Sequence, residues 1–206
     1  MTVSTPAARR AAEPLRYPAG SLVILTGLPG AGKSTLLGRL YGLTGAEREP
    51  VVAGGTTVID SMQSRLRWAR PLRRAPKPVR GLVVFATHLW RIRAAVRRGH
   101  SVVAHNRGCG PIVLRTFALM ARRSGTGFHL LLLDVPARAA VAGQHARGRV
   151  VPVRTFARHR RRCRALLARA RAGRPAPAAT ARVLDRPSAD LLQAIHFDAP
   201  GGQPVT

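Results

Sequence analysis

A chain of 206 residues, 46% hydrophobic, is long enough to bury a substantial core, which excludes a disordered or fibrous protein. Two cysteines, Cys109 and Cys163, exclude a disulfide or thiolate–metal framework, and no apolar stretch approaches the ~20 residues of a membrane-spanning helix. The net charge of +27 is carried almost wholly by arginine, with lysine only at 33 and 77.

That charge has two readings. An arginine-dense surface would hold polyanions such as nucleic acid. Compositional drift in a GC-rich genome would also enrich arginine, alanine, glycine and proline. Drift is favoured, because the arginines spread along the whole chain and aromatics for base stacking make up only 4%. Nucleic acid is therefore not the favoured partner. A cytoplasmic protein without membrane contact, monomeric or weakly self-associating, is expected. The start, "MTVSTPAARRAAEPLRYPAG", is polar and Pro-containing and reads as a loose tail rather than a signal peptide. The expected organisation is a tail over 1–19, one domain over 20–198 and a short tail over 199–206.

In chain order, "SLVILT" (21–26) reads as a buried strand and "GKSTLLGRLYGL" (32–43) as the helix after it. "GTTVID" (55–60) is a second strand, followed by a helix that Pro71 must end or kink. Residues 71–80 read as a proline-broken basic connector. Leu82, Phe85, Leu89, Ile92 and Val96 then recur at helical spacing up to Gly99. "HSVVAHN" (100–106) is a third strand, and "PIVLRTFALMARRSG" a helix opened by proline and closed by glycine. "TGFHLLLLDV" (126–135) is a fourth strand, whose unbroken apolar run suits a parallel sheet covered on both faces. Two helices follow, the second with Phe156, Cys163, Leu167 and Ala170 along one stripe, so Cys163 reads as a small core residue. "ARVLDR" is a fifth strand and "SADLLQAI" a closing helix. Strands alternating with helices predict an α/β fold with a parallel sheet.

Between the first strand and its helix lies "GLPGAGKST", Gly27, Leu28, Pro29, Gly30, Ala31, Gly32, Lys33, Ser34 and Thr35. It satisfies G-x-x-x-x-G-K-[ST] in the strand–loop–helix context the motif requires. Glycines let successive N–H groups turn toward phosphate oxygens, and the helix start adds its positive dipole end. The Lys33 ammonium reaches the β- and γ-phosphates, and the Ser34 hydroxyl ligates Mg²⁺. ATP with Mg²⁺ is the expected cofactor.

Acids are sparse. None lies between Asp60 and Asp134, or between Asp134 and Asp185, and each of these three ends a predicted strand. Strand ends are where open α/β sheets place ligand groups. The segment 61–99 is basic without a compensating acid, so the other partner of the site, an unidentified acceptor, is expected to be anionic.

"GLPGAGKST", "VIDS" and "LLLLDVPARAAVAGQHARGR" together resemble the small P-loop kinases of the polynucleotide-kinase-like and zeta-toxin-like group, often labelled AAA-family ATPases. The resemblance covers roughly residues 20–196. It implies a three-layer P-loop NTPase fold with a five-stranded sheet of order 2-3-1-4-5, a lid near 143–152, and transfer of the ATP γ-phosphoryl group to a hydroxyl. It makes Asp60 the carboxylate that takes the acceptor proton or helps Ser34 hold Mg²⁺, although an aspartate there also suits a helix cap. Arg65 reads equally as an anion ligand or a surface arginine. Arg147, with Arg149, matches the lid cations that stabilise charge on the transferred group. The chain departs from the family at Gly143-Gln144, where a further arginine is common, and at His105-Asn106, where an aspartate is common. Asp134 reads as structural or nucleotide-proximal, and Asp185-Arg186 as lying near the nucleotide base. The alternative is an ATP-dependent binding or switch module with little phosphotransfer.

Overall fold

The computed structural model describes residues 14–106, 110–148 and 150–198. Its central sheet has six strands in the order β3 (Val51–Ala53), β4 (Thr56–Asp60), β5 (Ser101–His105), β2 (Leu22–Gly27), β6 (Phe128–Leu133) and β7 (Thr180–Leu184). All pairings are parallel except the β3–β4 edge hairpin. Without that edge strand the order is the expected 2-3-1-4-5. Every residue of β2 and β6 is buried, as their continuous apolar sequences require when both faces are covered.

Helices α1 (Lys33–Tyr41), α2 (Ser61–Trp68), α3 (Lys77–Arg97), α4 (Pro111–Arg123), α5 (Ala137–His145), α6 (Val153–Arg171) and α7 (Arg186–Leu191) fill the connections. Cys163 is buried among core residues of α6, with Leu166 and Leu167. Among the described residues no helix is long and apolar enough to cross a membrane.

Besides the edge strand β3, and a closing helix α7 that ends at Leu191 with Ile195 already in a strand, three features depart from the sequence reading. The basic connector is shorter than expected, because α3 begins at Lys77 with proline in its first turn, a position that needs no N–H. The α3 stripe is buried only in its second half: Ile92 and Val96 are in the core, while Leu82 is 68% exposed. The segment expected to be a loose tail contributes β1 (Leu15–Pro18), paired in parallel with β8 (Ile195–Asp198). Tyr17 anchors it, buried with its ring 5.0 Å from His129 and 6.2 Å from Phe197. That burial raises the Tyr17 hydroxyl to about 12.

Candidate phosphate-binding and catalytic site

The loop between β2 and α1 sits at the C-terminal edge of the sheet, where the strand order reverses around β2. Gly30 is at φ +90°, and a Cβ there would lie 1.9 Å from Ala140 O. Gly143 is the reciprocal case, since its Cβ would lie 2.5 Å from Gly30 O. The α5 backbone thus packs directly on the loop, which accounts for a glycine at 143.

Gln144 completes this contact. Its side chain is buried, donating from Nε2 to Pro29 O at 3.0 Å and accepting at Oε1 from Val151 N at 2.8 Å. One amide therefore joins the loop to the segment after α5. Arg147, one turn on, donates to Gly143 O at 2.9 Å and to Gly30 O at 3.2 Å, so its guanidinium stays beside the loop. Arg149 lies outside the described residues.

Lys33 is buried, and its Nζ donates to Gly27 O at 3.0 Å and Leu28 O at 2.7 Å. These bonds draw the ammonium across its own loop, over a cavity of about 500 Å³. Pro29, Gly30, Gly32, Lys33, Ser34 and Arg147 line that cavity. Leu28 and Ala31 are buried in the core, and neither they nor Thr35 line the cavity. On the far side are residues the sequence reading did not single out: Met62, Thr155 and His159. His159 is held below the usual histidine range, first by burial and then by Arg158, Arg162 and Lys33.

Asp60 ends β4 and His105 ends β5, and the parallel register sets them side by side. His105 Nδ1 lies 3.1 Å from Asp60 Oδ1, both residues being buried. The same oxygen accepts from Met62 N at 2.7 Å, and Gln63 Oε1 accepts from Asp60 N at 3.1 Å, which completes a capping box on α2. The Ser34 side chain also lies close enough to the Asp60 carboxylate to favour its charged form. Burial alone would raise this carboxyl. The bond and charge of His105, the Met62 N–H and the Ser34 hydroxyl outweigh that, holding it far below the usual carboxylate range. Asp60 is thus a helix cap whose carboxylate also lies beside the loop serine.

A second cavity, of about 570 Å³, lies beyond Asp60 between α2 and α3. The two cavities divide neighbouring residues between them. Met62 and His105 line the first, Ser61 and Asn106 line the second, and Arg65 lines both. Asp60 itself lines neither, although Ser61, Met62 and its partner His105 do. The other predicted positions are structural in their visible contacts. Asp134 pairs with Arg171, and Asp185 caps α7 through Ser188 N at 2.8 Å. Arg186 does approach the loop, its Nη1 lying 3.2 Å from where a Gly32 Cβ would stand.

Oxygen donors from Ser34 and Asp60 suit Mg²⁺, which takes one or two protein oxygens and completes its shell with water and phosphate. Among the described residues no cluster of three or more His, Cys, Asp or Glu forms a dedicated metal cage.

Solved structures of the same architecture include several that are distant in sequence. One reports the PezAT chromosomal toxin–antitoxin system of Streptococcus pneumoniae, with a TM-score of 0.56 at 13% identity, covering 91% of this chain and 82% of that one. A sugar kinase from Janibacter sp. aligns with a TM-score of 0.50 at 19% identity, covering 84% and 90%. A gluconokinase from Sinorhizobium meliloti aligns with a TM-score of 0.50 at 12% identity, covering 85% and 89%. No curated protein matches the sequence. The family model described as an AAA domain matches residues 22–166, well over half of the chain, so this P-loop kinase-like protein belongs to that family.

Proposed function

We propose that the protein is an ATP-dependent phosphotransferase that moves the γ-phosphoryl group of ATP to a hydroxyl of an acceptor bound beside Asp60. The observation that carries this reading is the position of Asp60. Its carboxylate lies beside the loop serine, while its chain neighbours Ser61 and Met62 and its partner His105 line the two cavities.

In this reading the loop amides, the N-terminus of α1 and Lys33 hold the triphosphate. Ser34 and Asp60 supply the protein oxygens to Mg²⁺, which when bound neutralises phosphate charge. Asp60 stays ionised and orients the acceptor hydroxyl toward the phosphorus. A bond forms between the acceptor oxygen and the γ-phosphorus, and the bond from that phosphorus to the β,γ-bridging oxygen breaks. Its electron pair leaves with ADP. The hydroxyl proton passes to Asp60 late in the transfer and then to water, as suits so weak a base. Arg147 meets the charge spread over the transferred group.

The capping box on α2 favours a second reading, in which Asp60 is structural and ATP switches a binding surface. Incubation with γ-labelled ATP and pooled nucleosides, sugars and 5′-hydroxyl oligonucleotides separates the two. Label on an acceptor, abolished in Asp60→Asn, supports transfer. Label released only as phosphate, at a rate indifferent to that substitution, supports the switch.

A further inference from the structure

The cavity between α2 and α3 has a lining unlike that of the phosphate cavity. Arg65 stands at its entrance from the phosphate side, and Lys77 and Arg80 project from the first turn of α3. No acid lines it among the described residues, and the first turn of α3 contains none. Cations at a helix start oppose the helix dipole, so this corner combines two sources of positive potential. The wall beside them is apolar, made by Val84 and by Phe85, which is 38% exposed. At the floor are two buried polar side chains, His88 and Asn106. A volume of about 570 Å³ holds a small organic molecule rather than a single ion.

We infer that this cavity takes the phosphoryl acceptor, and that the acceptor is a small molecule joining an anionic group, such as a phosphate or carboxylate, to an apolar ring or chain. The inference rests on the phosphotransferase reading for the word acceptor, but the binding chemistry stands on the cavity alone. Lys77 and Arg80 hold the anion, Phe85 and Val84 cover the apolar body, and the polar floor orients the end that carries the hydroxyl. Arg65, reaching both cavities, links the bound acceptor to the phosphate side.

Phenyl phosphate tests this without catalysis, because it carries the anion and the ring but no alcohol to phosphorylate. Calorimetric titration into the full-length protein should give an affinity at least about tenfold above that of phenol or inorganic phosphate. Lys77→Ala/Arg80→Ala should weaken it by about tenfold or more, and Phe85→Ser by about threefold or more, while Lys33→Ala leaves it unchanged. Lys77, Arg80 and Phe85 are at least partly exposed whereas Lys33 is buried, and circular dichroism checks that each variant is folded. The inference is overturned if binding disappears in Lys33→Ala and survives in Lys77→Ala/Arg80→Ala, which would put the anion in the loop. It is overturned too if inorganic phosphate binds as well as phenyl phosphate, or if neither binds. Failure of the phosphotransferase reading would appear separately, as intact phenyl phosphate binding with no label transfer to any hydroxyl-bearing analogue.

Discussion

Asp60 and His105 end adjacent parallel strands in register, with His105 Nδ1 3.1 Å from Asp60 Oδ1. The family's usual acid after the third strand is replaced by a ring that holds the remaining acid in place. One carboxylate, tied to a histidine and a helix start, therefore occupies a position where two acids would repel each other.

Asp60→Asn should separate catalysis from folding. Asparagine caps a helix about as well as aspartate, so α2 should persist, but losing the buried pair with His105 should lower the thermal midpoint while the fold is retained. Steady-state kinetics should show phosphotransfer reduced by about 10²- to 10⁴-fold, while ATP affinity measured by calorimetry stays within about threefold.

Lys33→Ala and Lys33→Arg should both abolish measurable nucleotide binding. The buried ammonium donates to two loop carbonyls about 3 Å away, and a planar guanidinium cannot repeat that compact geometry. Arginine rescuing binding would show that charge alone is sufficient.

Gln144→Leu preserves volume but removes the bonds to Pro29 O and Val151 N. Leaving two backbone groups without this partner should cost about 1–3 kcal/mol. If the amide holds the loop in its binding shape, that cost appears as a rise in the KM for ATP of about 5- to 100-fold, with kcat much less affected. Equal loss of kcat and stability with KM unchanged would leave Gln144 an ordinary packing residue.

Glu49→Gln should destabilise the fold without altering nucleotide affinity. Glu49 pairs with Arg67 and with Arg91, whose side chain is only 3% exposed and whose other visible partner, Ser64 Oγ, is 3.4 Å away. Withdrawing the carboxylate from a buried guanidinium should cost about 1–3 kcal/mol, less than for a fully buried pair because Glu49 is half exposed. Arg67→Ala, at a solvent-exposed pair, should cost less than about 1 kcal/mol. Chemical denaturation compares them directly.

Stability should fall on mild acidification. His129 is held below the usual histidine range by burial, and His159 by burial and by neighbouring cations. Unfolding returns both to about 6.5, so below that pH the unfolded chain binds more protons and the contribution is lost as pH falls toward the folded values. Denaturation profiles between about pH 7 and 5 should be flatter in His129→Gln/His159→Gln than in the parent protein.

Much of this was legible in the sequence because it is written in local pattern. The loop motif, the buried runs of β2 and β6 and the proline at the start of α4 need no long-range information. The β3–β4 hairpin went unread, although "VVAGGTTV" carries a Gly-Gly turn between β-branched residues, because its edge strand is only three residues long. Strands β1 and β8 were not legible either, because each is four residues and exists only by pairing across the whole chain. The second half of the site was hidden for a related reason. Asp60 and His105 are 45 positions apart and meet through sheet register, and Gln144 looks like any polar residue until α5 packs on the loop.

Eight acids serve this chain; Glu13 lies outside the described residues, and each of the other seven makes a visible bond to a backbone N–H or to a cationic partner. The surplus guanidinium groups therefore draw their countercharge from dissolved anions. Raising ionic strength should tighten the native state by damping self-repulsion, the reverse of what happens to a protein whose exterior is laced with ion pairs.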